Sequence, residues 1–249
     1  MNRIPLALAA AFLGAGIALP STGTSGESAV QLPGRTAGVE LAKATIARMG
    51  GEEAWRRTRY LQWDFGGRRQ HVWDRRTGRT RMESEERLVL MNVRSREGRA
   101  WDKAENGLVE ITDPGALTEA LELGYAWWVN DSYWLIMPFK LLDPGANLQL
   151  VGPDELPDGR PADVLELTFD EGIGLTPQNK YRVWIAEDNG LVEQWSYYRA
   201  AEDEEPVFTR PWTGWERFGE VLIATDHGTD DDWKIAAPEE LPDSVFEQP

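Results

Sequence analysis

Residues 131–145 decide the fold, and they read Asp-Ser-Tyr-Trp-Leu-Ile-Met-Pro-Phe-Lys-Leu-Leu-Asp-Pro-Gly. Most of these side chains are apolar or aromatic. Pro138 and Pro144 interrupt the segment, so one regular helix or one central strand cannot run through all of it. An apolar segment without regular structure has to be covered by other parts of the chain, and we predict that a β-sheet covers it.

Strand patterns lie on both sides of this segment. Residues 59–103 and residues 147–225 alternate between apolar and polar side chains, and tight-turn residues separate the runs, which predicts antiparallel strands. In residues 180–186, Tyr181, Val183 and Ile185 form one face of a strand. Trp184 lies on the other face, and the sequence leaves open which of the two faces inward.

Two helices are also predicted. Residues 36–49 carry apolar side chains near helical spacing and end at two glycines. Asp113 and Pro114 are typical of a helix start, and the helix would lead into the segment 131–145. The expected fold is mainly β, of the α+β type. It is a single strongly curled antiparallel sheet of roughly nine to eleven strands, with helices covering its concave side.

The first 28 residues form a predicted signal peptide and flexible lead-in, and residues 29–249 form a single domain. Arg3 precedes an apolar run of about 16 residues, which is shorter than the roughly 20 needed to cross a bilayer. Small residues between Ala18 and Ala29 offer cleavage sites. Since the chain has no cysteine, it cannot carry the lipid of a bacterial lipoprotein. We therefore expect a bacterial periplasmic or secreted protein with no stable membrane anchor once the signal is removed.

Charge and composition exclude several functions. The net charge of −16 argues against nucleic acid and against docking on an anionic membrane. The two histidines, His71 and His227, are far apart in the sequence, and neither lies in a cluster with metal-ligand spacing. No nucleophile motif or phosphate loop is present. We predict no catalytic residue, no metal and no cofactor. A pair of carboxylates that hydrolyses glycosides is the alternative left open in so acidic a chain, but nothing in the sequence selects such a pair.

Several short motifs occur along the chain in an order that resembles a known family. They are residues 50–55, 71–83 and 133–135 with Pro138, then residues 143–145 and 241–249. With these motifs the chain is similar to the bacterial superfamily that contains the periplasmic lipoprotein carrier and its outer-membrane receptor, and above all to uncharacterised secreted members. The resemblance implies an incomplete β-barrel whose concave, apolar side is closed by helices. Related folds bind lipid chains and others have different roles, so no ligand identity is implied.

Aromatic residues are the candidate ligand-binding set, because they bury large areas and suit both cores and binding sites. We predict that residues 127–137 form a lid over an apolar pocket on the concave face. If the lid fills the hollow, the same residues are simply core. The set consists of Trp63, Phe65, Met91, Trp184 and Trp195 from the sheet, and Trp127, Trp128, Trp134, Leu135 and Met137 from the lid.

Three functional hypotheses follow from the sequence. The first is a periplasmic carrier or binding protein for a lipid or another amphiphilic ligand. The second is a structural or regulatory module of the cell envelope that holds a protein partner on the same sheet. The third is an enzyme with an unrecognised site. We favour the first hypothesis and predict that the protein is not an enzyme.

Overall fold

The computed structural model describes residues 33–249, which begin with two short helices. Helix α1 (Pro33–Arg48) confirms the first predicted helix, and α2 (Gly51–Arg57) follows at once. Gly50 separates them at a φ of 117°, and a Cβ at this position would lie 2.5 Å from the carbonyl oxygen of Glu220. The predicted signal peptide, residues 1–28, lies outside the described residues and stays a prediction.

Six consecutive strands form the first sheet, in which each strand pairs with the next in antiparallel order. The alternation predicted for residues 59–103 places Leu61, Trp63 and Phe65 in the core. In the register, Trp63 is opposite His71, and His71 is opposite Met82. The strands are β1 (Tyr60–Phe65), β2 (Arg69–Asp74), β3 (Arg79–Ser84), β4 (Arg87–Asn92), β5 (Gly98–Ala104) and β6 (Gly107–Glu110).

A long helix, α3 (Pro114–Ile136), leaves this sheet and continues into a 3₁₀ turn, Met137–Lys140. The predicted start is confirmed, because the Asp113 carboxylate accepts a hydrogen bond from the backbone N–H of Ala116 at 2.9 Å. The predicted lack of regular structure is wrong for residues 131–136, which are helical. Pro138 still limits the α-helix, since its ring excludes the carbonyl of the preceding turn and it has no N–H to donate.

Five strands form the second sheet, in the order β11-β10-β9-β8-β7, and a two-stranded ribbon follows. In β9 the open question of orientation is answered, because Tyr181, Val183 and Ile185 point into the core. The strands are β7 (Ala146–Glu155), β8 (Pro161–Phe169), β9 (Lys180–Ala186), β10 (Val192–Tyr198) and β11 (Phe208–Pro211), with the ribbon β12 (Thr213–Phe218) and β13 (Val221–Asp226).

The fold class is confirmed as mainly β with a few helices, and within residues 33–249 the sheets do not close into a barrel. It differs from the prediction in two respects, since the described region has thirteen strands instead of nine to eleven, and they divide among three sheets instead of forming one. The division falls where α3 separates β6 from β7. Within the described region, no helix has the length and hydrophobicity to cross a bilayer.

The C-terminal segment closes the β1 edge of the first sheet. Residues 233–236 join the sheet through one bridge between Gln62 and Ala236, and the N–H of Asp64 donates to the carbonyl of Trp233 at 2.7 Å. A short helix, α4 (Ser244–Glu247), then places Phe246 against the ring of Tyr60.

One hydrophobic cluster holds both main sheets together, and the second half of α3 lies inside it. Every residue from 128 to 139 is buried. Trp134 of α3 meets Trp195 of β10 edge to face, with ring centroids 4.6 Å apart. On the other side of the helix, Trp128 contacts Trp73 of β2 at 5.1 Å in the same geometry.

Candidate functional site

The two halves of α3 have different surroundings. Residues 114–127 are partly exposed, whereas residues 128–136 are buried on every side. The helix enters the interior across β4 and β3. Gly124 makes this possible, because a Cβ there would lie 2.9 Å from Cγ1 of Val89 and 3.3 Å from Cε of Met82.

A cleft of about 410 Å³ runs along the first half of α3. The helix supplies one wall, since its lining residues recur at i, i+3, i+4, i+7 and i+8 and therefore share one face. The β4–β5 turn and the loop after β8 supply the other walls. Apolar side chains predominate, and one basic and one acidic side chain join them. The lining residues are Arg96, Thr118, Leu121, Glu122, Tyr125, Ala126 and Leu175.

Arg96 is the cation of this cleft. Its Cζ lies 3.9 Å from the ring centroid of Tyr125, a cation–π contact. Its backbone has a φ of 61°, a left-handed conformation that L-residues other than asparagine and aspartate rarely adopt. Its N–H donates to the carbonyl of Asn92 at 2.7 Å, which fixes the turn. Among residues 33–249, neither Arg96 nor Glu122 forms an ion pair.

A buried polar network lies beneath the second half of the helix. The Asp131 carboxylate accepts hydrogen bonds from Nε and Nη2 of Arg69 at 2.6 and 2.7 Å, and from Nε2 of His71 at 2.7 Å. Nδ2 of Asn130 donates to it at 2.8 Å. Burial alone would raise the pKa of Asp131, but the hydrogen bonds from Arg69 and His71 outweigh it and hold the pKa below its usual value.

This network fixes α3 to β2 and is closed to solvent. The His71 side chain is 1% exposed and that of Asp131 is fully buried. The His71 ring stacks on Trp63 at 4.4 Å, nearly parallel. Since Asp131 is ionised and can only accept, Nε2 of His71 carries a proton. The geometry is that of a clamp, because four donors satisfy one buried carboxylate.

His227 is buried among aromatic rings in the core. Its ring lies 4.4 Å from Trp212, 4.4 Å from Trp233 and 6.2 Å from Trp134. Neither ring nitrogen has a hydrogen-bond partner within the described part of the chain. Burial lowers the pKa of His227 to about 3, so the ring is neutral near pH 7.

All of the predicted ligand-binding set except Trp127 and Trp184 share the main cluster. Trp184 lies on the outer face of β9, in a separate small cluster, and its Nε1 donates to Asp154 at 2.8 Å. The segment 127–137 is also not a lid, because its second part lies inside the core and Trp127 is half-buried at the edge. The residues that share the main cluster are Trp63, Phe65, Met91, Trp128, Trp134, Leu135, Met137 and Trp195.

None of the predicted ligand-binding residues lines the cleft, and their assignment stays a prediction. Leu121 lines the cleft but is not in the predicted ligand-binding set. Asp131 had a usable signal, since a carboxylate at the start of an apolar segment requires a partner when buried. Arg96 had no such signal in the sequence, because arginine is common in exposed turns. Leu175 reaches the cleft from a loop whose path the sequence does not specify.

Comparison with known proteins finds no matching family model and no matching curated protein. Solved structures do match. A DUF1329 family protein from Desulfovibrio piger is 14% identical over 87% of this chain and 98% of its own, with a TM-score of 0.46. The LolA superfamily protein NE2245 from Nitrosomonas europaea is 12% identical over 75% of this chain and 86% of its own, with a TM-score of 0.39.

A third structure is a domain from Vibrio parahaemolyticus, described provisionally as an outer membrane lipoprotein-sorting protein. It is 9% identical over 86% of this chain and 97% of its own, with a TM-score of 0.43. At these identities and TM-scores the likeness concerns architecture alone, so what the protein does has to be argued from its own residues.

Proposed function

We propose that the protein binds one single-chain amphiphilic molecule in the cleft beside the first half of α3 and carries it within the bacterial cell envelope. The observation that supports this is the cleft itself. Its volume of about 410 Å³ lies at the low end of the range for small-molecule sites. Apolar walls with a few charged groups are typical of sites that take an apolar tail and a polar head.

The apolar walls provide the binding energy in this proposal. Leu121, Tyr125 and Leu175 would exclude water from the tail, and each buried methylene contributes about 0.8 kcal/mol. A tail of several carbons then offsets the loss of translational and rotational freedom on binding. The wall is preorganised, because the Arg69–Asp131 network anchors the same helix further along.

The envelope location rests on the predicted signal peptide, residues 1–28. The proposal treats the protein as a binder and not an enzyme. In support, the acid–base pair of His71 and Asp131 is closed to solvent and fully used in holding α3. The cleft itself has one acidic and one basic side chain, on different walls.

A matched pair of leucines tests the cleft. Leu121 lines it, whereas Leu123 is 42% exposed on the same helix and does not line it. The probe is N-phenyl-1-naphthylamine, an uncharged fluorescent compound. We expect the wild type to bind it at one per chain, Leu121→Glu to weaken binding about tenfold or more, and Leu123→Glu to leave it unchanged. Circular dichroism confirms that both variants are folded.

The proposal is rejected if the folded wild type does not bind the probe, or if the two glutamate variants bind it equally well. A glycine cannot serve as the cleft variant because it would loosen the helix. Ala126→Trp provides a second cleft variant that fills space without adding charge, and it should also reduce binding. Agreement between the two cleft variants separates loss of the site from an effect of the new carboxylate.

A second candidate function is the binding of a protein partner, which one observation favours. Strand β6 is the free edge of the first sheet and is exposed along its whole length, with Leu108 41% and Val109 58% exposed. A partner could add a strand to such an edge. In that case an envelope complex isolated with the wild type should be lost in the double variant Leu108→Lys and Val109→Lys, and its persistence would exclude this edge.

A further inference from the structure

We propose that the ligand of the cleft has a zwitterionic headgroup, whose anionic group binds Arg96 and whose cationic group binds Glu122. This inference rests on the proposed function and adds the chemical class of the ligand. It follows from two opposite charges that line one cleft without meeting each other.

Arg96 is the positive charge of the cleft and has no counter-ion among the described residues. On the same sheet, Arg81 pairs with Glu83, Arg87 with Asp102 and Arg99 with Glu110. Within residues 33–249 Arg96 has no carboxylate partner, and its side chain contacts the ring of Tyr125 instead. Its guanidinium N–H donors are therefore available, and their planar arrangement matches a carboxylate or a phosphate.

The backbone of the turn holds this cation in place. The side chain of Asn92 accepts a hydrogen bond from the N–H of Arg94 at 2.9 Å, and its carbonyl accepts one from Arg96. Arg96 takes a left-handed conformation in this turn although a glycine would adopt it without strain. Strained backbone of this kind is often found at functional sites, where the side chain has to be kept.

Glu122 is the negative charge of the cleft. It lies three residues before Tyr125 and so neighbours it on the helix surface. Glu122 forms no ion pair or hydrogen bond among the described residues. Arg96 thus remains on the tyrosine ring although a carboxylate lines the same cleft. The two charges are farther apart than an ion pair, and a ligand with one charge of each sign would satisfy both.

Ligands of a single charge fit less well. The chain has a net charge of −16, which repels a purely anionic amphiphile at long range. In the cleft, Glu122 would oppose the same anion. A purely cationic amphiphile would be attracted by the net charge but would meet Arg96. A zwitterion has no net charge and avoids both conflicts. The small volume of the cleft favours one alkyl chain over two.

Three probes with the same twelve-carbon chain test the charge preference. They are dodecylphosphocholine, a zwitterion; dodecanoate, an anion; and dodecyltrimethylammonium, a cation. Each is titrated calorimetrically below its micelle concentration. The cleft variants are Arg96→Gln and Glu122→Gln. Their controls are Arg94→Gln, from the same turn, and Glu119→Gln, an exposed acid on the same helix that does not line the cleft.

We expect the wild type to bind the phosphocholine probe most tightly. Each cleft variant should weaken that binding by roughly three- to tenfold, as expected for a charge-assisted contact that is partly screened by water. The decisive result is opposite behaviour toward dodecanoate, which Arg96→Gln should bind more weakly and Glu122→Gln more tightly. Both controls should match the wild type.

The possible failures are distinguishable. If none of the three probes binds, the proposed function fails and this inference fails with it. If all three bind equally, respond to Leu121→Glu and ignore both charge variants, the cleft binds amphiphiles but the headgroup inference is wrong. Tightest binding of dodecanoate, unchanged by Glu122→Gln, would show an anionic ligand and would also overturn the inference.

Discussion

The two halves of α3 differ in whether their charged side chains have partners. In the buried half, Asp131 is surrounded by four donors from Arg69, His71 and Asn130. At the first half, Glu122 and Arg96 of the β4–β5 turn are exposed and form no ion pair among the described residues. Burial explains the difference, because a charge away from water is retained only when it is paired, whereas a charge at a cleft can remain available.

This comparison separates structure from function along one helix. A fully satisfied carboxylate has no capacity left for a ligand, so the buried half holds the fold. An unpaired charge beside apolar walls contributes little to the fold, so the first half can be used for binding. Substitutions should therefore change stability in the buried half and binding in the first half.

The largest expected effect is on Asp131. Asp131→Ala leaves Arg69 without a counter-ion in the core and should lower the free energy of unfolding by about 3–5 kcal/mol. The double variant Arg69→Met with Asp131→Leu should recover much of this, since no unpaired charge remains. Urea unfolding measures both. Glu119→Ala, at an exposed position, is the control, and a loss below 1 kcal/mol in Asp131→Ala would contradict the assigned role.

The buried His227 should make the free energy of unfolding depend on pH. Burial lowers its pKa to about 3 in the folded protein, from about 6.5 in the unfolded chain. The unfolded chain therefore binds a proton first as the pH falls, and stability decreases from pH 6.5 down to about 3. The loss between pH 7 and pH 5 should be about 2 kcal/mol from this group.

The control for this prediction is His227→Phe, which keeps an aromatic ring between Trp212 and Trp233. Whatever this substitution does to the free energy of unfolding at pH 7, it should reduce the change of that free energy between pH 7 and pH 5. An unchanged slope would mean that His227 is not buried and neutral. Asp131 adds a loss of the same sign, but only below about pH 3.8, because its pKa is lowered.

A smaller effect is expected where the helix turns inward. Gly124→Ala should lower the free energy of unfolding by about 1–2 kcal/mol, because the new methyl meets Val89 and Met82 and this outweighs the higher helix propensity of alanine. Gly115→Ala, in the first turn of the same helix, meets only ordinary contacts and should be neutral or stabilising. Thermal unfolding compares them, and equal melting temperatures would contradict the close packing of α3 on β4.

The smallest effect on stability is expected at the cleft. Arg96→Gln removes one exposed cation–π contact and should change the free energy of unfolding by less than about 1 kcal/mol. Together with Asp131→Ala, this variant measures the contrast between the two halves of α3. A loss comparable with that of Asp131→Ala would mean that Arg96 holds the fold, and its availability to a ligand would then be in doubt.

The sequence predicted the parts of the fold that have a local period. Two-residue alternation located β1, and Asp113 located the start of α3. In β9 the alternation defined two faces, and only packing decided which of them points inward. The buried half of the helix was missed because a segment that is apolar all round has no period, and Pro138 was given more weight than it has.

The site was harder to predict because it depends on distant partners. Arg69 and Asp131 are 62 residues apart, and nothing local connects them. Of the tryptophans in the predicted set, Trp63, Trp128, Trp134 and Trp195 lie in the main cluster. Sequence alone does not distinguish side chains that line a hollow from side chains that fill it. Arg96 and Leu175 come from a turn and a loop, whose positions are set by the sheets they connect.

Hydrogen exchange measured by mass spectrometry, with and without dodecylphosphocholine, tests the central claim most directly. If the cleft binds the amphiphile, backbone protection should increase in residues 93–97, 117–126 and 171–178. Residues 128–139 should exchange slowly in both states, because they are already buried in the core. Protection that changes only in residues 128–139, with none along the cleft, would place the ligand among the tryptophans and contradict the account.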